Sequence, residues 1–114
     1  MKQKKKKFLF KKVETGFHKY AVIELANWVK GEIEKPLYLD GRILVVPDVI
    51  ASGNRFFEVK YKNGLTGKKL GLYQYWSYRN NTPISVYEID AMYILSHLNN
   101  PGVIVGADCY TFES

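Results

Sequence analysis

The sequence predicts an α/β fold in which a mixed central β-sheet is flanked by helices, in the order α-β-β-β-α-β-α-β. Three observations lead there. Apolar residues recur every three to four positions between Thr15 and Lys30, with Phe17, Ala21, Leu25 and Trp28 forming one helical face. The stretch "PLYLDGRILVVPDVIASGNRFFEVKYK" then reads as three strand-like runs punctuated by Asp40-Gly41 and Ser52-Gly53-Asn54, a meander of antiparallel strands. A second helical stretch, about Thr66 to Asn80, separates the third strand from the fourth, "PISVYEI". A helix between neighbouring strands implies a crossover on one sheet face, and hence a mixed sheet with helices packed on it.

The elements follow in order. Thr15 is a candidate N-cap for the first helix. At about 100° per residue, Glu24 falls within the face defined by Phe17, Ala21 and Trp28, so it points inward. As a boundary residue or an ion-pair partner it would need no further role. Pro47 cannot donate a ladder hydrogen bond and marks an edge or a bend beside Asp48. The second helix is weakened by Gly67 and Gly71. "DAMYILSHL" reads as a short helix and "GVIVGADCYTF" as a final strand or irregular end.

Composition sets the bounds. With 114 residues, 46% hydrophobic and 25% charged, the chain has room for one domain with a real core, here residues 15–114 behind a basic arm over residues 1–14. The net charge of +6 favours a polyanionic partner, nucleic acid or an acidic membrane surface. Lys4, Lys5, Lys6, Lys7, Lys11 and Lys12 concentrate that charge in the arm. A solvated tail and a phosphate-binding arm both stay open. The single Cys109 rules out an internal disulfide and fits a reducing compartment. No apolar run approaches the ~20 residues of a membrane span and "FLF" is too short for a signal peptide, so a cytoplasmic protein is expected.

Alternation along strands puts Val46, Asp48 and Ile50 on one face, and Phe56, Glu58, Lys60 and Lys62 on one face of the next strand. If Ser52-Gly53-Asn54 closes a hairpin, Asp48 and Glu58 lie on the same side of neighbouring strands with Lys60 one step further along. Two nearby carboxylates repel each other unless a cation sits between them, and oxygen donors with retained water suit Mg²⁺. A metal there polarises a phosphoryl oxygen and helps generate hydroxide, while a neighbouring Lys stabilises developing charge. That is equipment for phosphodiester hydrolysis.

Pro47-Asp48, nine intervening residues and Glu58-Val59-Lys60 resemble the signature of the PD-(D/E)xK nuclease superfamily, which has the restriction-endonuclease-like fold. The resemblance covers about residues 15 to 90. It implies a metal-dependent deoxyribonuclease with Mg²⁺, or Mn²⁺ as a substitute, held by Asp48 and Glu58, and with Lys60 assisting the attacking water. Many members carry an acidic residue on the helix before the sheet as a further ligand, which gives Glu24 that role. Many also carry a Gln on the following helix, sometimes followed four residues later by Tyr, as Gln74 and Tyr78 are here. These two share a helix face and could reach the site or the DNA backbone.

The small size is similar to the VRR-NUC nucleases and the Holliday junction resolvases. That likeness implies action on DNA, including branched DNA, by a homodimer, since cutting two strands takes two sites. Lys62, Lys68 and Lys69 are available for phosphates.

Other signals fail on spacing. "GLTGKK" lacks the spacing of a phosphate loop and no Ser or Thr follows Lys68. Gly64-Leu65-Thr66-Gly67 follows a strand, whereas the GXXG loop of a KH domain joins two helices. His18 and His97 have no partner at zinc-ligand spacing. Two other readings remain. A non-catalytic nucleic-acid-binding domain would use the basic arm and exposed Tyr residues. An interaction protein would dock its Lys tail on an acidic protein or membrane and leave Asp48, Glu58 and Lys60 without a role.

Overall fold

The computed structural model describes residues 2–60, 67–98 and 108–113, with side chains from residue 16 onward. Its elements are α1 (Lys2–Val29), β1 (Glu32–Ile33), β2 (Leu37–Leu39), β3 (Arg42–Val45), β4 (Val49–Ala51), β5 (Arg55–Lys60), α2 (Gly67–Arg79), β6 (Ile84–Asp90), α3 (Ala91–Ser96) and β7 (Asp108–Phe112). The fold is mixed α/β, with a five-stranded sheet in the order β1-β4-β5-β6-β7. Only β5 and β6 run parallel, joined across α2, and the other neighbours are antiparallel.

The element order is therefore richer in strands than the expected α-β-β-β-α-β-α-β. The apolar run "RILVVPDVIA" does not continue as one strand. It divides at Val46–Asp48 into β3 and β4, because Pro47 has no N–H for a ladder. β2 and β3 then form a separate two-stranded sheet, while β4 joins the main sheet with β1 on its outer side. The two-residue Asp40-Gly41 turn has both φ angles positive, 51° and 77°, the type I′ geometry whose twist suits a tight hairpin. Arg79 of α2 grips the Asp40 carboxylate with two hydrogen bonds of 3.0 and 3.1 Å, and Trp76 donates to the Tyr38 carbonyl at 3.1 Å. Both contacts tie this hairpin to α2.

β5 is central, covered on both faces and by strands on both sides, and "FFEV" at its middle is wholly buried. Its alternation splits the core in two. Phe57 and Val59 face α1 and α3, where Ala21, Val22, Leu25, Ala26, Val49, Ile89 and Ile94 pack together. Phe56 faces α2 and the β2–β3 hairpin, among Leu37, Val45, Tyr73, Ile84 and Val86. Tyr73 stacks on Phe56 with ring centroids 5.8 Å apart, and Trp76 meets the same ring edge-on.

The helix expected from Thr15 runs through the basic segment as well, so Thr15 is interior rather than an N-cap. Its buried face also differs from the one expected. Ala21 and Leu25 are buried as anticipated, but Phe17 is half exposed and Val22 and Ala26 complete the core side. The face is turned by about 70° toward the line His18, Val22, Leu25, Val29.

After α1, Gly31 passes directly over β4. A Cβ built there would lie 2.6 Å from both the Ile50 carbonyl oxygen and Val49 Cγ1. Backbone cannot yield cheaply, so Gly31→Ala is expected to destabilise the fold by about 1–3 kcal/mol. Gly71 on α2 is exposed with nothing within 4 Å of its Cβ position. Gly71→Ala should stabilise by about 0.5–1 kcal/mol, since alanine loses less backbone freedom in a helix. Urea denaturation of the two variants beside the parent measures both signs.

Candidate functional site

The β4–β5 hairpin builds the site. Gly53 and Asn54 take positive φ at its turn, 76° and 56°, and Arg55 closes it by donating to the Ser52 carbonyl at 2.8 Å. Pairing runs Val49 with Phe57, Ile50 with Phe56 and Ala51 with Arg55. Continued outward, the same register sets Asp48 across from Glu58 and Pro47 across from Val59. The ladder cannot close there, because Pro47 has no N–H to give the Val59 carbonyl. Two side chains take over. The Val59 N–H donates to Asp48 Oδ2 at 2.7 Å, and His18 Nε2 lies 2.9 Å from the Val59 carbonyl oxygen.

His18 Nε2 is also 3.4 Å from Asp48 Oδ2. The hydrogen bond to the Asp48 carboxylate raises the His18 pKa above 6.5 despite the opposing effect of burial, with smaller help from the Val59 carbonyl and Glu58.

Glu58 is the buried charge of the structure, 1% exposed at the middle of β5. Its carboxylate is fully engaged. Lys69 Nζ donates to Oε1 at 2.6 Å, the Tyr73 hydroxyl donates to Oε2 at 2.5 Å, and Lys60 Nζ stands 3.9 Å from Oε1. Burial, and then the neighbouring Glu58 charge, push the Tyr73 hydroxyl far above its ordinary pKa, so it stays a donor throughout the physiological range. An ionised carboxylate this deeply buried needs such partners, since an unpaired one would cost several kcal/mol or take up a proton.

The structure thus brings together Asp48, Glu58 and Lys60 from the expected set, and adds His18, Lys69 and Tyr73. Glu24 stays apart. It is half-buried on α1, about 120° around the helix from His18, and among the described residues no hydrogen bond or ion pair joins it to Asp48 or Glu58. The described residues contain no group of three or more His, Cys, Asp or Glu placed to hold a metal ion.

Gln74 and Tyr78 do share a face of α2, but it opens elsewhere. They line a cleft of about 320 Å³ with Ser77, Thr111, Phe112 and Glu113 at the end of β7. The residue that α2 sends to the carboxylates is Tyr73, one position before Gln74. Lys68 is exposed at the start of α2. Lys62 lies outside the described residues, as do the side chains of Lys4, Lys5, Lys6, Lys7, Lys11 and Lys12, although their backbone belongs to α1. Among the described residues no helix is long and apolar enough to cross a membrane.

His18 was legible in principle, because Val22, Leu25 and Val29 mark a stripe that starts at it. Lys69 and Tyr73 sit four apart on α2, and nothing local pointed to Glu58 as their common partner.

Comparison with protein-family models, with curated proteins and with solved structures found no match to this chain.

Two measurements check this geometry. Because the folded His18 pKa lies above 6.5, protonation favours the folded state: its contribution is complete below pH 6.5 and disappears as pH rises through the folded value. In chelator-treated protein, the stability difference between the parent and His18→Gln is therefore expected to shrink as pH rises from 5.5 to 8.5, read from urea midpoints. Tyr73→Phe removes the donor to Glu58 Oε2 and should cost about 1–3 kcal/mol by the same assay.

Proposed function

We propose that this chain is a divalent-metal-dependent nuclease that hydrolyses phosphodiester bonds of DNA, a small enzyme of PD-(D/E)xK type with a restriction-endonuclease-like fold. The observation that carries the reading is the β4–β5 register, in which Asp48 falls opposite a buried Glu58 and Lys60 follows on the same face. An acid in the middle of a central strand is an expensive placement for a purely structural role.

The donor chemistry fits a hard cation. Asp48 and Glu58 offer carboxylate oxygens only, and Mg²⁺ is commonly held by one or two carboxylates with water and substrate phosphate completing its shell. When bound, such an ion neutralises phosphoryl oxygens and lowers the pKa of a water. The chain's own residues do the rest. Val59 and His18 fix the Asp48 carboxylate, Tyr73 fixes that of Glu58, and the Lys60 ammonium stabilises charge developing on the phosphoryl group. Mn²⁺ satisfies the same oxygen donors.

The net charge of +6 supports a nucleic-acid substrate, with the Lys cluster of residues 4–12, together with Lys62, Lys68 and Tyr78, on its backbone. Branched DNA, cut by a homodimer with one site per strand, is the substrate class the sequence resemblance favours, and a cytoplasmic enzyme fits the same reading.

One observation favours a second reading. Both Glu58 oxygens already bond within the protein, as a structural carboxylate would require, and a non-catalytic nucleic-acid-binding domain fits that. Labelled four-way junction, flap, duplex and single-stranded DNA, incubated with Mg²⁺ or Mn²⁺, separates the two. The nuclease is expected to cut at least one of them, with loss of about 10²-fold or more in rate for Asp48→Ala and for Lys60→Ala and with DNA binding retained. Salt-sensitive binding without cleavage, indifferent to metal and to both substitutions, would establish the binding domain instead.

A further inference from the structure

We infer that Lys69 acts as a resident counter-cation that holds the metal's place on Glu58: the ion pair exists in the metal-free protein and is exchanged for a divalent cation when one binds, which frees the Lys69 ammonium at the phosphate-facing side of the site. The inference rests on the nuclease reading above and assigns a role to a residue outside the D-ExK pattern.

The geometry singles out Lys69 among the partners of Glu58. Lys69 Nζ is 2.6 Å from Oε1, a charge-assisted bond, whereas Lys60 stands 3.9 Å from the same oxygen. Oε2 belongs to Tyr73, which is fully buried and stacked on Phe56, so that bond is held by the core. A cation that coordinates Glu58 therefore needs Oε1, the oxygen Lys69 occupies. An ammonium and a divalent cation at one carboxylate oxygen repel each other strongly in so dry a place.

Lys69 is the partner able to give way. It enters from the first turn of α2 on a four-carbon stem, its side chain is 30% exposed, and its ammonium already lies 3.4 Å from the Val46 carbonyl. Moving toward that carbonyl keeps the ammonium hydrogen-bonded while it leaves Oε1.

The exchange also resolves the competing demands on Glu58. Without a bound ion, a carboxylate 1% exposed needs a counter-charge to stay ionised. With one, the same counter-charge would be an excess. A mobile lysine satisfies both conditions, and a fixed one would not.

The test is the affinity for Mg²⁺, and for Ca²⁺ as a non-catalytic probe, measured by calorimetry on the full chain without DNA. Lys69→Met should bind the ion about tenfold more tightly than the parent, since the competitor is gone. Lys69→Arg should stay near the parent, and Lys68→Met, one exposed lysine away, should change little. In chelator Lys69→Met is expected to melt at lower temperature than the parent and to gain more from added Mg²⁺. Should it not fold, Lys69→Gln, which keeps a donor to Glu58 without the charge, carries the same expectation in smaller measure.

Equal or weaker binding by Lys69→Met, or equal tightening by Lys68→Met, would overturn the exchange while leaving the metal site in place. Absence of binding by the parent and every variant, with Asp48→Asn no different, would overturn both the exchange and the nuclease reading.

Discussion

The buried carboxylate of Glu58 is the constraint around which the rest is arranged. β5 lies between β4 and β6 and is covered on both faces, so an ionised side chain at its centre loses its water and must be repaid in hydrogen bonds and charge. The repayment comes from one element. α2 supplies Lys69 and Tyr73 one helical turn apart, and their common target sets the rotation of α2 on the sheet. With that rotation fixed, Tyr73 stacks on Phe56, Trp76 reaches Phe56 and the Tyr38 carbonyl, and Arg79 reaches Asp40. The β2–β3 hairpin is thus held in place by the far end of a helix whose near end serves Glu58.

Period-two alternation explains why fold and site were partly legible together. Strand alternation put Asp48, Glu58 and Lys60 on one side, and the turn chemistry of Asp40-Gly41 and Ser52-Gly53-Asn54 marked both hairpins. Those signals are local, and they held. The limits of α2 were also close, Gly67–Arg79 against an expectation of Thr66 to Asn80. What sequence could not supply was the packing partner of each helical face. On α1 the large residues Phe17 and Trp28 outweighed the small ones by eye, yet a helix lying close on a sheet prefers Ala21, Ala26 and Val22, which let the backbones approach. Choosing the bulky face rotated Glu24 inward and His18 outward, the reverse of what the structure has. On α2, Gln74 drew notice through the resemblance, while Tyr73 looked like ordinary core and is core and hydrogen-bond donor at once. The division of "RILVVPDVIA" into two strands followed from Pro47, whose effect was foreseen as a bend but not as a change of sheet.

That proline links backbone to site more closely than its place in a motif suggests. A ladder residue opposite Val59 would use its N–H and carbonyl on the Val59 backbone, and would leave Asp48 and His18 nothing to bind there. Because Pro47 offers no N–H, the Val59 carbonyl is open to His18, and because the strand has left the ladder, the Val59 N–H is open to Asp48. The Asp48 carboxylate is thereby held at the level of Glu58 by a backbone bond of the very strand that carries Glu58. Any drift of β4 relative to β5 would move both carboxylates together. A fixed separation between two acids, set by one strand and not by two independent loops, is what joint coordination of a single cation demands. It also makes α1 a participant through His18, so that helices on opposite faces of the sheet meet across a single residue, Val59, with Glu58 on one side of it and Lys60 on the other.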